Sequence, residues 1–549
     1  MKKKCLIAFF LFSLMFPGIL TAQEAIGTAE EKYFDFLALM GLVQRPTLNF
    51  RTLSDSRWDI NPDINHPWQN QNLGSFQPLP GNFRVRVYGP DMFMSVNTAA
   101  PYGHNDGVLW QGRGFNARLR GGARLEWQGP QRHGLEVTFM PHFAFSQNLA
   151  FEIMPSHFEN EFGYFWGYGP PGSNMGGADA PQRFGDRPFF AWDFGDSEIR
   201  YTWRNFTVGF GTQAIWLGPA FLNPILHSNN APAYPKFDIG LRRQPITLPW
   251  LGWYIGDIEA RLWTGRLTGS DFFNNDDSNR HTMFHGAAFA YAPSFLPGLT
   301  LFVNWVNLVP WELRNLRHFL PFDRSNTGDE DMKASLGFSW AFPQVGFEVF
   351  FEIGFDDYTN WIQHPFHATV YTGGLRKAVR IRPERNIYGL IKFEFNWMEM
   401  TNDFQLMWPY SFYFHHLMIR GYTNRGQWLG NGVSPGGNSQ HLSFTVFYPR
   451  GNSTIFISRN NPDNNYLWAK AVNASAIADN LNKRYYRTNK ANFNIGVNTN
   501  YFFNTNFLIS GGIVYNLIIN PLFHHHQLPH MSTFHKHNFS FQLGVRFLL

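Results

Sequence analysis

The 549-residue sequence has one cysteine, Cys5, which lies inside the N-terminal apolar stretch. If that stretch is removed, no disulfide, thiol chemistry or cysteine-based metal site remains. Charge is scarce at 15% of residues, and no basic excess marks a nucleic-acid surface. Beyond the first 22 residues, no apolar run approaches the ~20 residues that a membrane helix needs. No Gly-x-Ser-x-Gly elbow and no phosphate-binding loop is present. Aromatic residues, by contrast, make up 18% of the chain, with 58 phenylalanines.

The start of the chain reads as a secretory signal. Lys2, Lys3 and Lys4 precede an apolar stretch to about Leu20, and Leu20-Thr21-Ala22 places a small residue before an expected mature start at Gln23. Removing those three of the 45 basic residues leaves 42 against 40 acidic ones, which is close to neutral.

From Phe83 onward the period is two. Phe83, Val85 and Val87 alternate with Arg84, Arg86 and Tyr88. Ala117, Leu119, Ala123, Leu125 and Trp127 alternate with Arg118, Arg120, Arg124 and Glu126. Phe347, Val349, Phe351, Ile353 and Phe355 flank Glu348 and Glu352, and Ile391, Phe393, Phe395 and Trp397 flank Lys392, Glu394 and Asn396. The final stretch runs Phe539, Phe541, Leu543, Val545, Phe547 and Leu549, with Ser540, Gln542, Gly544 and Arg546 between them. Apolar residues spread over alternate positions, without a spanning helix, predict an antiparallel transmembrane β-barrel: lipid outside, polar side chains inside, every backbone group satisfied by closure. A secreted sandwich array or propeller accounts less well for so much aromatic surface. The lumen-facing charges have both signs and are expected to pair across strands.

Three regions follow: a signal peptide over 1–22, an N-terminal helical and irregular periplasmic plug segment over 23–81, and the barrel over 82–549. In the second, Thr28 is positioned to cap a helix, and Tyr33, Phe36, Leu37, Met40 and Leu42 follow at helical spacing, giving an expected helix within 28–43. The barrel's roughly 470 residues allow ~16 to 18 strands. Both termini are expected to face the periplasm. The stretches 155–190, 271–281, 459–490 and 521–536, rich in Gly, Asn, Pro and Asp, are then expected outer loops.

Two segments carry more specific information: Gly209-Phe-Gly-Thr-Gln-Ala-Ile-Trp216-Leu-Gly218-Pro219, continuing to Ser228-Asn229-Asn230-Ala231-Pro232, and Gly421-Tyr422-Thr423-Asn424-Arg425-Gly426-Gln427, continuing to Gly430 and Ser434-Pro435-Gly436. With the N-terminal Phe-Leu-x-Leu-Met-Gly-Leu-Val stretch, and in the same order from about residue 30 to the C-terminus, they resemble the Wzi capsule assembly family. The resemblance implies an outer-membrane barrel of about 18 strands with a helical periplasmic plug. It implies a non-enzymatic surface lectin that helps assemble or tether exported capsular or other surface polysaccharide. No cofactor or metal is implied. The expected partners are that polysaccharide, outer-membrane lipid and the barrel assembly machinery, with no nucleic acid. The alternative is a porin-like or substrate-specific channel.

Sugars need planar rings for their C–H faces and amides or guanidinium for their hydroxyls. The glycan-binding candidates are therefore Gln213, Trp216, Asn229, Asn230, Tyr422, Asn424 and Arg425 of the two motifs. Trp166 and Tyr168 join them from the aromatic run at Phe162, Tyr164 and Phe165, which reads equally as a stacking platform, a lid or a membrane girdle. The same glycines and asparagines equally suit bulges and turns. The histidines within 524–537 lack regular ligand spacing for a metal. Asp276-Asp277, Asp329-Glu330-Asp331 and Asp356-Asp357 read as solvated turns or weak calcium contacts ahead of a glycosidase pair.

Overall fold

The computed structural model describes residues 20–549 except 62, 168–176, 274–280, 322–329, 357–367, 400–410, 434, 468–488 and 524–534. Alternation of apolar and polar residues closes the chain into an eighteen-strand antiparallel barrel. Its strands are β1 (Phe83–Asn97), β2 (Gly114–Gln128), β3 (His133–Phe139 with His142–Ser146), β4 (Phe189–Asp193 with Glu198–Trp203), β5 (Phe206–Gly211), β6 (Lys236–Thr247), β7 (Tyr254–Thr268), β8 (His281–Pro293) and β9 (Leu299–Pro310). They continue as β10 (Asp331–Phe342), β11 (Phe347–Asp356), β12 (Thr369–Arg382), β13 (Ile387–Trp397), β14 (Asn438–Tyr448), β15 (Gly451–Asn461), β16 (Ala491–Asn504), β17 (Phe507–Ile519) and β18 (His535–Leu548). Pairing of β18 with β1, from Ser540↔Asn97 to Leu548↔Tyr88, closes the ring.

Every expected alternation is kept. Phe539, Phe541, Leu543 and Phe547 are exposed on the outside while Ser540 is buried within. In β1 the parity changes once, at Gly89-Pro90, where the register with β2 shifts between Tyr88 and Asp91. The bulge keeps Arg86, Tyr88 and then Asp91 pointing inward, with Met92 outward.

Connections alternate in length. One end of the barrel has turns of two to six residues, the other has connections of twelve or more, and the chain enters and leaves at the short-turn end. The four expected outer loops all fall at the long-connection end.

The N-terminal segment lies inside the short-turn end of the barrel. Its helix α1 spans Ala29–Leu39; Thr28 caps it by accepting from the Glu31 N–H at 3.1 Å. The helix ends earlier than the apolar spacing predicts, because Gly41 takes a positive φ of 74°. Tyr33 stacks on Trp68 at 4.0 Å and Phe36 on Phe447 at 4.3 Å, fixing the helix to the barrel wall. The rest of the segment is mostly irregular chain with short pairings: Leu20–Gln23 pairs with Arg57–Ile60, and Phe50–Arg51 pairs with Trp216–Leu217. That second pairing joins it to a connection, 212–235, which descends from the opposite end.

Candidate functional site

Acidic side chains on the barrel wall hold this interior by its backbone. Both carboxylate oxygens of Glu259 in β7 accept from Leu48, Asn49 and Phe50 N–H groups at 2.8, 3.1 and 2.6 Å. Glu394 in β13 does the same for Phe221, Leu222 and Asn223 at 2.7, 3.1 and 2.7 Å. Other lumenal charges pair across strands as expected: Arg200 is held by Glu198 and Asp238, and Arg376 by Glu348. Several pairs also include the N-terminal segment, with Asp55 bound to Arg242 and Arg261, and Arg45 to Glu348. The arginines beside Asp55 hold its carboxyl well below the usual carboxylate range.

Two expectations about acidic clusters need correction. Asp331 and Asp356 are not solvated turn residues; both are buried, and both accept from Lys333, at 2.5 and 2.9 Å. They are consumed by one ammonium group that the alternation places between them. Asp276, Asp277, Asp329, Asp357 and the histidines at 524–530 lie outside the described residues. Of the remaining pair, His537 shares a hydrogen bond with the Tyr515 hydroxyl at 2.7 Å.

The two sequence motifs form a packed inner layer. The Gln213 side chain is buried; its Oε1 accepts from Ser54 N–H at 3.0 Å. His227 is buried and its pKa is pushed down to about 3, so the ring is neutral. Its Nδ1–H donates to Ile215 O at 2.9 Å, leaving Nε2 to accept from the Tyr234 hydroxyl at 2.8 Å. Tyr422 donates to Leu226 O at 2.9 Å and stacks on Tyr413. Asn424 uses both ends of its amide, accepting from Thr268 N–H and donating to Pro232 O, each at 2.9 Å. Arg425 donates to Trp192 O at 3.1 Å. Trp166 is buried against Phe414 at 4.6 Å, and Tyr164 beside it is buried too, which makes this run a lid over the layer rather than a girdle. Tyr168 lies outside the described residues.

Alongside this layer the lumen is not filled. A cavity of about 890 Å³ lies between the packed interior and strands β13 to β18. Pockets of about 300–1,000 Å³ take ligands of several rings. It extends from Lys32 of α1 and Phe447 at its floor to Lys490 and Pro521–Phe523 at the long-connection end. Of the sequence candidates, Trp216, Asn229 and Asn230 line it; the other described candidates do not. Trp216 donates its indole N–H to Ala220 O at 2.8 Å and carries the Arg51 guanidinium 5.1 Å from its ring centre.

One wall of the cavity is uncharged and polar. Thr454, Ser458 and Asn460 of β15 and Asn492, Asn494, Asn498 and Asn500 of β16 face it. The Oδ1 atoms of Asn460, Asn492, Asn498 and Asn516 have no hydrogen-bond partner among the described residues. The packed interior presents Tyr102, Trp110 and Phe221 to it, and the cations Arg118 of β2 and Lys392 of β13 flank it. Asp106 there accepts from His104 N–H at 2.8 Å and Gln111 Nε2 at 2.6 Å, and burial raises its pKa. Sequence reasoning missed these residues. The signal was present in the alternating Asn-x-Asn and Ser/Thr positions of β15 and β16, which mark a lumen face without charge.

An apolar-faced, closed, eighteen-strand barrel with a polar lumen is an outer-membrane β-barrel. The chain belongs to the capsule assembly protein Wzi family, whose sequence model matches residues 133–467. Among solved structures it is similar to Escherichia coli Wzi, described as an outer membrane protein involved in group 1 capsule assembly and a carbohydrate-binding β-barrel. The TM-score is 0.57 at 12% identity, over 97% of this chain and 100% of that one. Pseudomonas putida OprB aligns at a TM-score of 0.38 and 8% identity, over 85% and 94% of the two chains. An engineered Rh. blastica porin aligns at 0.31 and 11%, over 84% and 99%. Among curated proteins, none matches the chain by sequence.

Proposed function

We propose that this barrel binds exported capsular or other surface polysaccharide in its lumenal cavity and tethers it at the cell surface, without catalysis. Family membership places it in capsule assembly. The observation that carries the tethering reading is the cavity itself, which amide and hydroxyl side chains of β15 and β16 line together with aromatic rings. Amide oxygens suit sugar hydroxyls and rings suit sugar C–H faces. In this reading Trp216, Asn229 and Asn230 contact the glycan, and Tyr422, Asn424 and Arg425 keep the inner layer in place. The short-turn end and both termini face the periplasm, as in other bacterial barrels. The N-terminal segment and the aromatic floor then close the cavity from below, which favours retention over the alternative of a channel. Weak single sites suffice, because many copies hold one polymer.

The test is polysaccharide partition in a deletion strain, comparing cell-attached with shed glycan at equal total synthesis. A shift towards shed glycan, reversed by the intact gene, is expected. Unchanged partition refutes tethering, and steady conductance of the purified protein in planar bilayers would favour the channel.

A further inference from the structure

The packed half of the lumen and the cavity differ in how charge is compensated. In the packed half, each of Arg200, Arg242, Arg261 and Lys333 meets two carboxylates. Leaving aside Arg459, which the register of β15 places on the outer face, the cavity is lined by seven lysines and arginines against four carboxylates. Three of those seven are matched: Arg120 and Arg546 share Asp91, and Lys536 holds Glu152. Lys32, Arg118, Lys392 and Lys490 have no carboxylate within 4.0 Å among the described residues.

What Lys392 and Arg118 contact is neutral. Lys392 sits 4.4 Å from the centre of the Phe221 ring, and Arg118 lies 5.7 Å from that of Phe93. Arg118 Nη1 reaches only the backbone carbonyl of Asp106, at 3.4 Å, and its Nε has no partner. Ring faces and amides stabilise a cation less than a carboxylate does, and partly enclosed cations repel one another. The same fold compensates its cations a few strands away, so the cavity's excess is a property of this wall.

We infer that the cavity's ligand is an acidic polysaccharide, a sugar polymer bearing carboxylate or another anionic group, with its negative charges held by Lys32, Arg118 and Lys392. This deepens the tethering proposal and rests on it. The cations are spread from the α1 floor to Lys490 at the long-connection end, which suits charge repeated along a chain. The asparagine wall provides acceptors for the hydroxyls between those charges.

Purified full-length protein is tested in detergent against oligogalacturonate, dextran sulfate and unmodified dextran of matched length. Expected is preference of about tenfold or more for at least one anionic polymer over dextran, equivalent to ~1.4 kcal/mol. This preference should collapse at 1 M salt, where the screening length falls to ~3 Å. K392Q and R118Q should each weaken anionic binding several-fold while the barrel keeps its heat-modifiable gel mobility. The two anionic arms distinguish carboxylate from sulfate recognition. Dextran binding as tightly as both anionic polymers overturns the charge inference and leaves tethering intact. Anionic binding that neither substitution weakens also overturns it, because the charge then acts elsewhere. No binding of any polymer removes both proposals.

Discussion

Replacing Glu259 by alanine should release the N-terminal segment from the barrel while leaving the barrel itself folded. The carboxylate is buried in β7 and accepts three backbone N–H groups, from Leu48, Asn49 and Phe50. Alanine offers no acceptor. Each buried donor left unpaired costs about 1–3 kcal/mol, so three cost at least about 3 kcal/mol even after partial relaxation. That raises the population of the undocked segment by about 100-fold or more. Arg45 and Arg51 lie on either side of the affected residues, and both are held in the docked state by acidic partners. Trypsin cleavage after Arg51 therefore reports undocking, because cleavage follows the open population when reclosing is fast; Arg45 precedes Pro46 and resists trypsin. E259Q should be intermediate: one oxygen remains, but the new NH2 group faces donors. The reasoning is refuted if E259A, with normal heat-modifiable mobility, is cut at Arg51 no faster than the parent.

His66 gives a pH test. Its ring accepts from the Tyr33 hydroxyl at 2.7 Å, and burial pushes its pKa down from 6.5 to about 4. The undocked state therefore binds the extra proton first, and docking of the segment weakens as pH falls from 6.5 towards 4; H66Q, which keeps an acceptor, should flatten the pH profile of hydrogen-exchange protection of the segment's amides in that window. Y422F removes one hydrogen bond, to Leu226 O, and should cost about 1 kcal/mol with glycan retention unchanged. N424A removes two, to Thr268 and Pro232, and should lower the thermal midpoint further. G218A should destabilise by about 1 kcal/mol or more, because φ there is 79° and an added Cβ would lie 2.8 Å from a Glu352 oxygen; an unchanged midpoint would contradict the observed backbone.

The barrel was legible because lipid and lumen impose a period of two that the sequence repeats without interruption. The strand count and the Thr28 cap follow from equally local rules. The end of α1 was less clear: Leu42 and Val43 continue the apolar spacing, yet they pack against the same aromatic cluster from outside the helix. The inward folding of the connections was not legible. Gly-, Asn- and Pro-rich composition suits a solvated loop and a buried one alike. What buries Tyr422 and Gln213 is contact with Leu226 and Ser54, residues about 160 to 200 positions away.

The same distance in sequence explains why the motifs mark the wrong surface for most of the candidates. Asn424 and Gln213 have the chemistry of sugar contacts, but the fold uses them to clamp one segment to another. A ligand needs polar atoms that the fold leaves unused. Those lie on β15 and β16, where lumen positions are uncharged and cannot recruit the interior as Glu259 and Glu394 do. Wall carboxylates draw chain into one half of the barrel by binding its backbone N–H groups. Where the wall carries asparagine, serine and threonine, no such attraction operates, and the lumen stays open beside unmatched lysines and arginines. The charge pattern of the strands thus decides both where the barrel is filled and where it can bind.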